Sequence, residues 1–184
     1  MRFFKDLKNY FSYSKYSAKS QLNAEVAGSY LNWLWWVFNP FCMMLIYTFI
    51  FGFVFPGKEL YFPIYIFIGL TLWDFFNRTV NSSVRMVKRN KAIVTKVYLP
   101  KFILIETNMM VNFIKMMISF AIVAIMMIVF RVPLTWNIFW IVPVFIVLCI
   151  FTFGLSCFIL HFGVFVEDLD NIIKILLRFM FYAT

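Results

Sequence analysis

The chain has 184 residues and a formal net charge of +9, yet only 14% of its residues are charged while 64% are hydrophobic. Soluble domains carry about a quarter charged residues, so this composition excludes an ordinary soluble enzyme and points to a polytopic membrane protein. The basic residues sit beside apolar runs, where positive-inside bias and anionic headgroups account for them, so nucleic acid is not an expected partner.

Residues 1–32 read as a separate N-terminal segment. Phe3, Leu7, Tyr10 and Phe11 recur at helical spacing with Lys5, Lys8, Lys15 and Lys19 between them, which predicts an amphipathic helix lying in the headgroup region on the cytoplasmic face. The first long apolar run begins near Trp33, too late for a signal peptide. Residues 33–184 form the membrane domain. Residues 33–55 carry no charge and are long enough for a first crossing. Pro40 should kink it, or mark where an interfacial helix turns into the span.

After a short outer turn, residues 61–84 return inward. Thr71, Asp74, Asn77 or Arg78, and Asn81 fall at steps of three or four, on one helical face. The stretch 78–101 then holds Arg78, Arg85, Lys88, Arg89, Lys91, Lys96 and Lys101 with no acidic residue. Such a cationic connector stays in the cytosol, and counting crossings back from it puts the N-terminus there too.

Residues 102–130 run outward, with Glu106 near the inner end and Asn108, Asn112, Lys115 and Ser119 in a single polar stripe. Lys115 within the membrane would cost about 2.5–3.5 kcal/mol; it either snorkels to the inner headgroups or pairs with Asp74. A second outer turn, 131–137, leads to a crossing over 136–165. Glu167, Asp168 and Asp170 form an acidic cytoplasmic loop, and residues 172–184 begin a further crossing that stops short of the about 20 residues a span needs. The expected architecture is an all-α transmembrane bundle: an amphipathic helix, four complete crossings and an incomplete fifth, with the C-terminal part of the domain missing.

Little catalytic chemistry is visible. Cys42, Cys149 and Cys157 lie in apolar runs without C-x-x-C spacing and His161 stands alone, so no disulfide framework or metal site is expected. Residues 52–59, GFVFPGKE, approach a phosphate-binding loop but end in Glu, which supplies no hydroxyl for magnesium. The sequons at Asn77 and Asn81 fall on the cytoplasmic side. Aromatic residues make up 22% of the chain. Most suit interfacial anchoring, but Trp36, Tyr47, Trp73 and Phe76 are candidates to line a path and stack on sugar rings.

Several stretches carry a family resemblance. Residues 35–40, WWVFNP, followed by 47–52, YTFIFG, look like the opening of the ABC-2 type permeases that export polysaccharides such as O-antigen, capsule and teichoic acid. Residues 69–76, GLTLWDFF, are similar to their second-helix motif, and residues 90–100, NKAIVTKVYLP, to their cytoplasmic connection. The chain departs from the pattern at Asn32, at Lys101-Phe102 and at Glu167-Asp168. The resemblance implies a homodimeric permease for a lipid-linked glycan in the bacterial plasma membrane. A separate ATPase subunit would bind the ATP, and the chain would carry no cofactor of its own. It further implies that Asn90, Lys91, Val94, Lys96, Val97, Tyr98 and Pro100 form one contact with that ATPase, and Glu167, Asp168 and Asp170 a second. The alternatives are a membrane-embedded glycan- or lipid-modifying enzyme and a non-catalytic scaffold.

Overall fold

The structure, a computed structural model, describes residues 2–27, 31–54, 61–95, 99–133, 135–163, 165–166 and 168–183. It is all-helical among these residues. The elements in chain order are α1 Arg2–Ala27, α2 Asn32–Val54, α3 Phe62–Arg89, a short α4 Lys91–Val94, α5 Lys101–Val129, a 3-10 turn Trp136–Trp140, α6 Ile141–Phe162 and α7 Leu169–Ala183.

Three of these stretches are both long and apolar enough to cross a membrane: Trp33–Phe51, Lys101–Val129 and Ile138–Phe162. Helix α3 is long enough, at roughly 42 Å for its 28 residues, but its polar residues hold it outside that set. Its position explains how it tolerates them. Helix α3 is packed by α2, α5, α6 and α7, and Thr71, Thr79 and Ser83 are all buried along it. Its hydroxyls turn back on the helix: Thr71 donates to the Phe67 carbonyl, Thr79 to that of Phe75, and Ser83 to that of Thr79, each at 2.8 Å.

Local chemistry sets the element ends. Pro63 in the first turn of α3 costs no hydrogen bond there. Lys88 and Arg89 in its last turn suit the negative end of the helix dipole, so α3 continues about a turn past the expected boundary at residue 84. The true connection is therefore 90–100, and it contains α4. Pro40 is buried inside an unbroken α2 and does not end a separate interfacial helix. Helix α5 closes with a Schellman turn: Val132 N–H donates to the Met127 carbonyl and Arg131 N–H to that of Ile128. Arg131 takes the left-handed position, with φ 51°, while Met127 and Val132 pack on the same apolar cluster.

Helix α1 does not present the face that its large residues suggest. Phe11 is exposed, whereas Ser14 and Ala18 are buried and Tyr10 and Tyr13 pack on the cluster around Ile103 and Leu104. Small residues at a four-residue spacing allow two helices to approach closely, and they decide which face docks. Ser14 meets Glu106 and Glu25 meets Lys115, so α1 runs beside α5 in the same direction. The N-terminal segment is thus a helix, as expected, and it is strapped along the bundle by these contacts.

The C-terminal end of α6 touches α3 backbone to backbone. A Cβ on Gly163 would fall on the Val84 carbonyl oxygen, while nothing lies within 4 Å of a Cβ at Gly69 or Gly154. Gly163→Ala is expected to destabilise the chain by about 1–3 kcal/mol through overpacking, while Gly154→Ala is expected to be neutral or slightly stabilising. Thermal unfolding of the purified variants in detergent checks both.

Candidate functional site

The polar residues of α3 and α5 meet in a seam inside the bundle. The Asn112 amide, on a residue 6% exposed, donates to the Thr79 hydroxyl across the helices at 3.0 Å and to the Asn108 side-chain oxygen on its own helix at 2.7 Å. About one turn further along α5, the Lys115 ammonium pairs with Glu25 at 2.6 Å and sits 4.9 Å from the centre of the Trp36 ring. A buried ammonium has its charge compensated here twice, by a carboxylate and by an aromatic face. Three elements therefore converge on Lys115: α1, α2 and α5.

Asp74 does not pair with Lys115. Its carboxylate takes the Arg78 guanidinium at 2.7 Å, one turn away on the same helix. The two faces nevertheless meet, because Asp74, Arg78, Asn112, Lys115 and Trp36 line one small cavity of about 10 Å³. Lys115 also does not snorkel outward, since its side chain is 11% exposed and held by Glu25. The local i,i+4 geometry satisfies Asp74 before α5 reaches it, and α1 brings Lys115 its anion.

A larger groove of about 520 Å³ runs between α2, α3 and α7. The rings of Tyr47, Trp73, Phe181 and Tyr182 and the polar groups of Asn39, Asp74, Asn77 and Arg178 line it. Phe181 contacts both Trp73, at 5.4 Å between ring centres, and Tyr47, at 5.9 Å. A second, apolar groove of about 350 Å³ shares Tyr47, Leu70 and Phe181 and extends it toward Phe62. Two of the four aromatic candidates are thus in one place. The other two are not: Trp36 faces Lys115, and Phe76 is 4% exposed in the core, stacked 5.8 Å from Phe151.

The residues expected to contact an ATPase divide similarly. Asn90 closes α3, its backbone and side-chain amides both donating to the Met86 carbonyl. Lys91 is exposed at the start of α4. Val94 packs inward on the cluster that includes Met86, Leu99 and Ile103, and Pro100 precedes α5. Lys96, Val97, Tyr98 and Glu167 lie outside the described residues. Asp168 is exposed, and its carbonyl accepts the N–H groups of Asn171 and Ile172 that open α7.

Asp170 corrects the expected acidic loop. It lies in the first turn of α7, 6% exposed, where it meets Lys174 at 2.7 Å and Arg85 of α3 at 3.0 Å. The Lys174 hydrogen bond, helped by the positive charges of Arg85 and Lys174, holds its pKa below the usual aspartate value against the opposing effect of burial. Its carboxylate joins α7 to α3. Two contacts escaped the sequence reading, Glu25 with Lys115 and Arg85 with Asp170. Glu25 does follow Ser14 and Ala18 by successive steps of three and four residues, so the register of the docking face could have pointed to it. No group of three His, Cys, Asp or Glu side chains among the described residues is placed to hold a metal ion.

The fold defines the class: an all-helical membrane protein with apolar outer faces and a charged, hydrogen-bonded interior. No family model matches the chain. It is 27% identical over 164 residues to the O-antigen export system permease protein RfbA of Myxococcus xanthus, and 25% identical to two RfbA permeases of Klebsiella pneumoniae. These matches cover 89% of this chain and 63% of each relative, so the chain spans less than two thirds of their length. What the comparisons show is similarity to O-antigen export system permeases along most of this chain.

The two partners of the Lys115 pair differ in exposure, with Glu25 at 40% and Lys115 at 11%. Glu25→Gln, which strands a buried ammonium, is therefore expected to cost more than Lys115→Met, by about 1–3 kcal/mol, in thermal unfolding of the purified chain. For Asp170 the lowered pKa means that its stabilisation is present above the unfolded aspartate value, about 3.9, and is lost as pH falls through the folded value. The wild type is expected to lose stability more steeply below about pH 4 than Asp170→Asn, measured as melting temperature against pH.

Proposed function

We propose that this chain is the permease subunit of a bacterial exporter that moves a lipid-linked cell-surface glycan across the plasma membrane. A separate subunit binds and hydrolyses the ATP, and two copies of the permease form the path. The observation that carries this reading is similarity over 89% of the chain to three O-antigen export system permeases. The N-terminus and the connector 90–100 are cytoplasmic, which the cationic residues of the connector and the end of α3 support. Helix α3 is the remaining crossing, shielded from lipid by its neighbours.

The groove between α2, α3 and α7 suits a glycan or its lipid carrier. Aromatic rings stack on the apolar C–H faces of sugars, and amide and charged groups answer the hydroxyls. The Gly163 contact with Val84 and the Arg85–Asp170 pair bring the start of α7 to the same end of α3 as the connector. This supports both as surfaces that receive force from the ATPase.

In a strain lacking the gene, the wild-type chain in its native full-length context is expected to restore surface glycan. Loss of both rings in Tyr47→Ala/Trp73→Ala should cut export about tenfold, from about 0.5–1.5 kcal/mol per lost ring contact. Export that persists without the ATPase subunit overturns the class, and full export by the double variant overturns the groove as the path. Lys91→Cys should react with an impermeant thiol reagent only after the cells are opened.

A further inference from the structure

We propose that a separate cavity between the C-terminal parts of α1 and α3 and the N-terminal part of α5 binds the phosphodiester headgroup of a membrane phospholipid. The cavity has a volume of about 370 Å³, and Gln21, Glu25, Ser82, Arg89, Asn90 and Asn108 form its polar wall. Its lining is distinct from that of the aromatic groove and of the small Asp74–Lys115 cavity.

The charge balance selects an anion. The carboxylate of Glu25 is already ion-paired with Lys115 at 2.6 Å, whereas among the described residues Arg89 has no carboxylate partner. The neutral groups point the same way. The Asn108 side-chain oxygen accepts from Asn112, which leaves its N–H groups as what it offers to the cavity. Asn90 uses one side-chain N–H on the Met86 carbonyl and retains the other. A guanidinium with amide donors around it is the chemistry that holds a phosphate.

The rest of the wall favours a lipid over a soluble phosphate. Ser82 spends its hydrogen on the Thr79 carbonyl at 3.0 Å, so its oxygen accepts, which suits a headgroup hydroxyl. Ala24, Met86 and Leu104 complete the lining and offer apolar surface to the glycerol ester. Lys88 and Arg89 end a helix among membrane spans, at the level where basic residues meet anionic headgroups. Only the choice of the cytoplasmic leaflet rests on the proposed orientation.

The test uses the full chain in dodecyl maltoside, titrated with dihexanoyl phosphatidylglycerol and followed by native mass spectrometry. Comparators are dihexanoylglycerol glucoside, which keeps the acyl chains without the phosphate, and sn-glycerol 3-phosphate, which keeps the phosphate without the chains. The wild type is expected to give a saturable phosphatidylglycerol adduct that neither comparator matches. Arg89→Gln should weaken it about tenfold, as for one lost charge-assisted contact, and Gln21→Leu should weaken it less. Equal binding of the glucoside, or unchanged affinity in Arg89→Gln, overturns the proposal. Binding of sn-glycerol 3-phosphate as tight as that of the lipid makes this a soluble-phosphate site and also overturns it. If Arg89→Gln unfolds earlier than the wild type without lipid, Gln21→Leu on the exposed face of α1 decides instead. The readout involves no transport, so its failure leaves the export reading standing, and the reverse also holds.

Discussion

Lipid cannot hydrogen-bond to a polar side chain, and the arrangement of this bundle follows from the need to cover those on α3. Asp74, Asn77, Arg78, Thr79, Asn81 and Ser83 lie within ten consecutive residues of one helix. A helix so substituted is stable between apolar layers only when other helices surround it and answer its groups. Helices α2, α5, α6 and α7 all pack on it, and its Thr79 and Asp74 have partners in Asn112 and Arg78. The apolar helices meanwhile keep their large side chains outward. On α6, for example, Val147, Ile150 and Phe158 are exposed.

The same logic explains why the N-terminal helix is strapped to the bundle. Lys115 lies too far along α5 to reach its start at Lys101, so its ammonium must be compensated where it stands. Glu25 supplies the anion and Trp36 the aromatic face. A buried ion pair adds less to stability than its Coulomb energy suggests, because both ions lose water. What it adds is register: with Ser14 against Glu106, it leaves α1 one alignment along α5.

The apolar runs and the polar stripes were legible in the sequence because they depend on period and composition alone, whereas the end of α3, and with it the start of the connector, was placed about a turn early. A step of three or four places Asn108, Asn112 and Lys115 on one face whatever surrounds them. Their partners were not legible, because partner choice is a property of packing between segments remote in sequence. Asp74 could meet Arg78 or Lys115 on spacing and charge, and only the packing of α1 along α5, 90 residues from Glu25 to Lys115, decides between them. The aromatic set failed in the same way. Trp73 and Phe76 are neighbours on α3 with rings 5.5 Å apart, but a step of three residues leaves them about 60° apart around the helix, and the helices packed there put Trp73 at the groove and Phe76 in the core. The boundary near Asp170 was misplaced because acidic residues read as loop, whereas an acid in the first turn is also what a helix N-terminus favours.

Helix α3 thereby becomes a shared wall. Its C-terminal end holds Val84 against Gly163 and Arg85 against Asp170, and the connector leaves from Asn90. Its middle puts Asp74 in both the aromatic groove and the small cavity beside Lys115. Close-packed interfaces move as bodies and do not deform continuously. A push on the connector under the proposed export reading would therefore be carried along α3, and α7 would be drawn with it through Asp170. Since α3 and α7 are two of the groove's walls, such a shift changes the groove's width at Trp73 and Phe181, without requiring any side chain there to contact the motor.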